Sequence, residues 1–212
     1  MENSRLRLLQ LLQQHGRATV DQLARYIGLA SATVRRHLDI LQRDRLVAFD
    51  QVKKKVGRPE YSFYLTESGH EVLPKAYDRL LAGVLHELEV LPGEKVGAHV
   101  AEESLSRGLL QRLAIATAER YQVKSSSGDL SQRIALTREA LEQESFSPEI
   151  EQRDGSLQVR LSNCPFRSVA LKNPAVCAYD KALVSALLGS EVVQIRCIRD
   201  GDVNCCYVAD MA

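Results

Sequence analysis

The sequence lacks any long hydrophobic run, because no stretch approaches the roughly 18 uninterrupted apolar residues that a membrane-spanning helix needs. Its first residues, MENSRLRLLQLLQQHGR, have neither the apolar segment nor the small-residue cleavage site of a secretory signal. We therefore expect a cytoplasmic protein without a membrane partner. In that compartment thiols stay reduced, and a chain of 212 residues can bury a sufficient hydrophobic core without disulfides.

The motifs of common enzyme classes are also missing. There is no Gly-rich phosphate loop, no Gly-x-Ser-x-Gly elbow and no pair of carboxylates with a partner base. The five histidines are scattered, without two at positions i and i+4 that would form a metal site on a helix. We expect that the chain is not an enzyme.

Cysteine is absent from the first 163 residues, and all five cysteines lie in the last quarter of the chain. No two of them form a Cys-x-x-Cys pair, which argues against a zinc ribbon and against a thioredoxin-like redox centre. Their odd number argues against a closed disulfide framework. The number and spacing of the cysteines therefore favour reactive or metal-binding thiols.

The charge of the chain is unevenly distributed, although the net charge is only +1. Residues 1–66 carry 12 Lys and Arg against 6 Asp and Glu, whereas residues 67–212 carry 16 against 21. The first third of the chain is thus basic and the remainder is acidic, which indicates that the N-terminal part contacts a polyanion.

Two capped helices joined by a tight turn are predicted within TVDQLARYIGLASATVRRHLDILQ. Thr19 and Gln22 have the spacing of a capping box, Gly28 supplies the turn, and Ser31 is expected to cap the second helix. Val34 and Leu38 face inward at helical spacing. The second helix then presents small, hydroxyl and basic side chains, as a recognition helix in the major groove does. The predicted DNA contacts on it are Ser31, Thr33, Arg35, Arg36 and His37.

A basic wing is predicted after these helices, because LVAFDQ and YSFYLT read as two strands that flank VKKKVGRP. The loop carries Lys53, Lys54, Lys55 and Arg58, whose charges would neutralise phosphates of double-stranded DNA. The order of two short helices, an arginine-bearing helix and a basic hairpin predicts a winged helix-turn-helix domain. Here the segments SATVRRHLDILQRDRLV and GRPEYSFYLTESG resemble the DNA-binding heads of bacterial winged-helix repressors of the DeoR and ArsR types.

A helical stripe follows in YDRLLAGVLHELEVLPGE, where Leu81, Val84, Leu88 and Leu91 recur at spacings of three and four. Packing within one chain is an equally common use of such a stripe. We nevertheless expect a homodimer on a palindromic operator, because one winged helix makes few base contacts and two half-sites increase affinity and selectivity.

The C-terminal part combines helices with two predicted hairpins, EIEQRDGSLQVRLSN and EVVQIRCIRDGDVNCCYVAD. We therefore predict an α+β protein in three parts. Residues 1–70 form the winged helix-turn-helix domain, residues 71–92 a helical dimerisation linker, and residues 93–212 an α+β sensor domain with a cysteine site.

The five cysteines divide into two groups on this prediction. If Asp200-Gly201 is a two-residue turn, Cys197 shares a sheet face with Cys206, and we expect both to be packing groups. Cys205 then points to the opposite side. The other thiols, Cys164, Cys177 and Cys205, come from separate elements and can converge on a soft acceptor such as an iron–sulfur cluster or zinc.

The arrangement NCPF, twelve residues, Cys177 and then CIRDGDVNCC resembles the sensor domain of SufR-type iron–sulfur-responsive repressors. The resemblance implies a [4Fe-4S] cluster on Cys164, Cys177 and Cys205, repression of cluster-assembly genes, and tighter DNA binding by the loaded form. Some members carry a further cysteine where this sequence has Glu191. The fourth ligand is therefore open between a protein group, an exogenous thiol and a partner subunit; the protein candidates are Asn204, Cys197 and Cys206.

Two other functions are compatible with the sequence. One keeps the winged-helix regulator but makes the C-terminal domain a small-molecule receptor with structural cysteines, so that anaerobic protein would be colourless. The other is a thiol-based redox enzyme or peroxide sensor, which would need a cysteine whose pKa is strongly lowered beside a base.

Overall fold

The structure is a computed structural model that describes residues 2–52, 60–90, 102–121, 130–153 and 155–210. It divides into two compact units, Met1–Pro74 and Lys75–Ala212. Within the described residues, the first unit contains a three-stranded sheet and the second a four-stranded sheet. The mixed helix-and-sheet class predicted from the sequence is confirmed.

The first unit is built on the predicted helix-turn-helix. The Thr19 hydroxyl accepts a hydrogen bond from the Gln22 backbone N–H at 3.3 Å, and the Gln22 side chain accepts one from the Thr19 N–H at 2.8 Å. Gly28 ends the helix in the left-handed region, with φ of 72°, which a glycine adopts without strain. The elements of this unit are α1 (Glu2–His15), β1 (Ala18–Thr19), α2 (Val20–Ile27), α3 (Ser31–Arg43), β2 (Val47–Val52), β3 (Glu60–Leu65) and α4 (Glu67–Val72).

The sheet of this unit has the order β1-β3-β2, with antiparallel pairing throughout. The short strand β1 was not predicted, because two residues carry no periodicity. Strands β2 and β3 form the predicted hairpin stem, which ends at the pair Val52 and Glu60. The predicted wing cations Lys53, Lys54, Lys55 and Arg58 fall between these strands, outside the described residues.

The second unit contains both C-terminal hairpins, and its sheet has the order β4-β5-β7-β6. Helix α9 packs against α6 and α7, so one side of this sheet is covered by helices. Short 3-10 turns cover Pro174–Val176 and Ile198–Asp200. The elements are α5 (Tyr77–Val90), α6 (Glu102–Arg120), α7 (Leu130–Gln143), β4 (Pro148–Arg153), β5 (Ser156–Leu161), α8 (Arg167–Ala170), α9 (Cys177–Leu188), β6 (Val193–Arg196) and β7 (Cys205–Asp210).

Helix α5, which lies in the predicted linker region, packs in the second unit against α6. Gly83 permits this contact, since a Cβ atom there would lie 2.6 Å from the Leu113 side chain. Of the residues in the predicted stripe, Val84 packs against the core of its own unit, which is the alternative of packing within one chain. The exposed stripe consists of Leu81, Leu85 and Leu88, and Leu91 lies outside the described residues.

The connection between β6 and β7 also differs from the prediction. The two strands pair Arg196 with Cys206, and a bulge near residue 195 shifts the register. Eight residues, 197–204, therefore separate the strands instead of a two-residue turn at Asp200-Gly201. The predicted location of Cys197 on a strand face beside Cys206 is wrong, because Cys197 precedes the 3-10 turn Ile198–Asp200.

The described helices include none whose length and hydropathy would let it span a membrane.

Candidate functional site

Helix α3 presents a polar face rich in arginine. Val34, Leu38 and Leu41 are buried on its inner side, whereas Thr33, Arg35 and Arg36 are exposed. These exposed side chains lie in the first half of the helix, which is the part that enters the major groove in helix-turn-helix proteins. Their placement agrees with the sequence prediction, and their role as DNA contacts stays a prediction.

Two predicted contacts on α3 have a different environment. Ser31 is the first residue of the helix and does not cap it, because the capping position is Ala30 and makes no side-chain hydrogen bond. The Ser31 hydroxyl instead donates to the Asp21 carboxylate at 2.8 Å, which ties α3 to the first turn of α2. His37 is half-buried, and its Nδ1 atom has no hydrogen-bond partner among the described residues.

The second candidate site is a cavity lined by four of the five cysteines: Cys164, Cys177, Cys197 and Cys205. The space between these side chains is small and opens to solvent. Arg167, Arg199 and Asp180 also line it. The three predicted cysteine ligands therefore come together, and Cys197 joins them.

Cys164 is held in place by the segment that follows β5. The Asn163 side chain is buried and donates to the Ser145 carbonyl at 2.6 Å, and Ser162 N–H donates to the Ser147 carbonyl at 3.1 Å. On the other side, the Pro165 carbonyl accepts a hydrogen bond from Ala76 N–H at 3.2 Å. These bonds fix the backbone on both sides of the Cys164 thiol.

Cys177 occupies the first position of α9, where the preceding 3-10 turn is itself capped by Asn173. Asp180 follows one turn later and is buried, with no hydrogen-bond partner for its Oδ1 atom in the described part of the chain. Burial, together with negative charge at Cys197, raises the pKa of Asp180 to about 8. The sequence pattern gave no sign of this carboxyl group, because an Asp on an apolar helix usually faces solvent.

The thiols of Cys177, Cys197 and Cys205 shift one another's pKa. The pKa of Cys197 is held well below its usual range because its sulfur accepts hydrogen bonds from the other two thiols. The pKa values of Cys177 and Cys205 are raised by the same hydrogen bonds and by burial. Burial also raises the pKa of Cys164.

Cys206 lies outside this group. It is buried on the opposite side of β7 and pairs across the sheet with Arg160, whereas Cys205 pairs with Leu161 on the core side. This placement agrees with the expectation that adjacent strand residues point to opposite faces.

The donor set of the cavity fits an iron–sulfur cluster. No three Cys, His, Asp or Glu side chains within the described ranges are arranged to bind a single metal ion. A cluster spreads its ligands around a larger body, and four cysteine sulfurs are the usual ligands of a [4Fe-4S] cluster. The guanidinium groups of Arg167 and Arg199 at the rim favour the anionic thiolates that such a group requires.

Comparison with known proteins finds a similarity in the N-terminal unit. Residues 2–48 match the family model of bacterial regulatory proteins of the arsR family. The chain is also similar to Bacillus subtilis PadR in its crystal structure with operator DNA, at 16% identity and a TM-score of 0.30 over 66% of this chain and 90% of the PadR chain. No match was found among curated proteins. The matched residues contain α1, α2 and α3, so this part of the N-terminal unit is similar to the helix-turn-helix of bacterial regulatory proteins of the arsR family.

Proposed function

We propose that the protein is a homodimeric winged-helix repressor whose second unit binds a [4Fe-4S] cluster and reports iron–sulfur or redox status to the DNA-binding unit. Its targets are palindromic operators of cluster-assembly genes. The observation that carries the proposal is the convergence of Cys164, Cys177 and Cys205 from three separate elements on one cavity. When bound, the cluster supplies a group that oxidants and iron limitation remove.

The DNA-binding half of the proposal is supported by the exposed arginines of α3 and by the basic composition of residues 1–66. Arginine reads guanine edges in the major groove, and lysines beyond the hairpin stem would add contacts to phosphates without sequence preference. The two kinds of contact together give specificity and salt-dependent affinity.

Coupling between the cysteine cavity and the DNA-binding unit has a physical route in the second unit. The segment after Cys164 is hydrogen-bonded to residues 76 and 77, near the start of the second unit. Tyr77 accepts hydrogen bonds from Ser168 at 3.1 Å and 2.8 Å, through the backbone N–H and the hydroxyl. A change of the Cys164 segment on cluster loss would therefore change the start of α5.

Replacement of Tyr77 by Phe tests this route. We expect the variant to keep its cluster, because Tyr77 does not line the cavity, while the difference in operator affinity between loaded and cluster-free protein falls by about tenfold. Coupling free energies of about 1–3 kcal/mol are typical, so the loss of one connecting contact is measurable by fluorescence anisotropy. Tyr121→Phe is the matched control, since that hydroxyl donates to Glu144 at 2.6 Å and does not contact the Cys164 segment. Unchanged coupling in Tyr77→Phe would exclude this route.

The proposed dimer is supported by the exposed leucines of α5. Leu81, Leu85 and Leu88 are 60%, 53% and 47% exposed and recur at i, i+4 and i+7, so they form one apolar stripe. An unpaired stripe of this kind on a repressor with two half-sites favours pairing with the same helix of a second copy.

Replacement of Leu88 by Glu is expected to weaken this dimer by at least tenfold, because a charge would be buried in the helix pair. Analytical ultracentrifugation over a dilution series gives the dissociation constant. Glu89→Gln, on the exposed side of the same helix, is a control for the change in surface charge. If Leu88→Glu dimerises as tightly as the unchanged protein, the stripe is not the interface.

The proposed cofactor is tested by iron and sulfide analysis of anaerobically purified protein, with its visible absorption spectrum. We expect about four iron and four sulfide per chain. A colourless protein that takes up neither element on anaerobic reconstitution would contradict the proposal and would favour a small-molecule receptor with structural cysteines.

A further inference from the structure

The connection between β6 and β7 fixes Cys197 at the edge of the cysteine cavity. The Cys197 N–H donates to the Asp202 carboxylate at 2.9 Å, and its carbonyl accepts from Asp200 N–H at 2.9 Å and Asp202 N–H at 3.3 Å. Gly201 allows the chain to reverse, since its φ of 95° lies in the left-handed region that other residues rarely adopt. The backbone of Cys197 is therefore held at both its donor and its acceptor.

The sulfur of Cys197 lies among the three predicted ligands. Cys197 is only 4% exposed, and it lines the same cavity as Cys164, Cys177 and Cys205. Ile198 N–H also donates to the Cys205 sulfur at 3.5 Å, so the residue after Cys197 contacts a ligand as well. Four thiols from four different segments of one chain thus surround a common space.

The other candidates for a fourth ligand fit less well. Cys206 lies on the opposite side of β7, and Glu191 and Asn204 do not line the cavity. Asp180 does line it, but carboxylate oxygen is a harder donor than thiolate sulfur, and iron–sulfur clusters select soft ligands. Sulfur chemistry and position together favour Cys197.

We infer that Cys197 is the fourth ligand of the cluster, so that a single chain provides all four thiolates. The inference rests on the proposed function. It has two consequences. Neither an exogenous thiol nor a residue of a second subunit completes the site. The cluster that binds Cys164, Cys177 and Cys205 also orders the 197–204 connection.

Mössbauer spectroscopy of protein reconstituted with enriched iron tests the assignment. We expect all four irons of the unchanged protein to have the parameters of thiolate-ligated sites. Cys197→Ser should lose iron, as expected for the loss of any ligand; in any cluster that it retains, about a quarter of the iron signal should come from a distinct oxygen-ligated or unligated site. Asp180→Asn and Cys206→Ser are the matched controls and should leave the spectrum unchanged. Native mass spectrometry of the loaded protein should show one cluster per chain without the added mass of a small thiol.

The outcomes separate this inference from the proposed function. If the unchanged protein binds no iron, the proposed function fails. Other outcomes contradict only the assignment of Cys197. They are a full cluster in the unchanged protein that already contains one distinct iron, a full cluster with an added thiol, and a spectrum of Cys197→Ser that equals that of the unchanged protein. A distinct iron in Asp180→Asn would transfer the role to Asp180. If Cys197→Ser does not retain a cluster, the spectra of the unchanged protein and of the two controls decide whether Cys197 is the fourth ligand.

Discussion

Serine in place of Cys164, Cys177 or Cys205 is expected to lower the iron content from about four atoms per chain to near zero. A serine hydroxyl is a harder donor than a thiolate and stays protonated near neutral pH, so it does not replace the sulfur. All three residues line the same cavity, and the loss of one ligand exposes the iron to solvent and chelators. Iron and sulfide are measured on each variant after anaerobic purification, together with operator affinity.

Cys206→Ser is the matched control for these variants. Cys206 is buried, as Cys164 and Cys205 are, but lies on the other side of β7, so its variant should keep a full cluster. We expect only a stability loss of roughly 1–3 kcal/mol from the more polar buried hydroxyl, measured by denaturant unfolding of the cluster-free protein. A full cluster in any of the three ligand variants would overturn the ligand assignment, and loss of the cluster in Cys206→Ser would contradict the geometry of the site.

The double variant Arg35→Ala and Arg36→Ala is expected to bind a selected operator no more tightly than random DNA. A bidentate contact of arginine with guanine contributes about 1–3 kcal/mol of discrimination, so two such losses lower specific affinity by roughly 30-fold or more. Affinity is measured on operator and random DNA over a range of salt concentrations, with the operator selected by the unchanged protein.

Two further variants make this result specific. Arg43→Ala removes an equally exposed arginine near the end of α3, next to Asp44, and should preserve discrimination between the two DNAs. Removal of Lys53, Lys54 and Lys55 should weaken binding to both DNAs alike. It should also make DNA affinity depend less steeply on salt concentration. Unchanged operator affinity in the double arginine variant would exclude α3 as the recognition helix.

The N-terminal unit was predictable from sequence because its signals are local. These signals are the capping box of Thr19 and Gln22, the left-handed backbone conformation of Gly28 and the apolar residues at helical spacing. Each of them acts over a few residues. The prediction of Ser31 as a cap was wrong for a tertiary reason, since Asp21 from the preceding helix takes its hydroxyl.

The cysteine site was predictable only in part. Cys164, Cys177 and Cys205 were predicted as ligands from their placement in separate elements and from family resemblance, and the structure brings all three to one cavity, whereas Cys197 was assigned to a strand face. The error came from the Asp200-Gly201 pair, which is typical of a two-residue turn but here closes a 3-10 turn. The Asp202 carboxylate, which binds the Cys197 N–H, stabilises the longer connection, and the sequence DGD is the signal that could have indicated it.

The sequence left open whether the α5 stripe packs within its own chain or against a second copy, because both sides of this helix contain apolar residues. Periodicity alone does not distinguish the inward Val84 from the outward Leu85. The choice depends on α6, which approaches at Gly83 and buries that side. Such a contact between distant segments has no signature in the local sequence.

The most direct test of the central proposal is the operator affinity of one anaerobic preparation, measured first with its cluster and again after the cluster has been removed by chelation, at the same salt concentration. The account predicts that the loaded protein binds more tightly by about 5-fold to 150-fold, since a ligand shifts a conformational equilibrium only through unequal affinity for the two states. The cluster-free protein should recover its affinity on reconstitution. Equal affinity with and without the cluster would contradict the account.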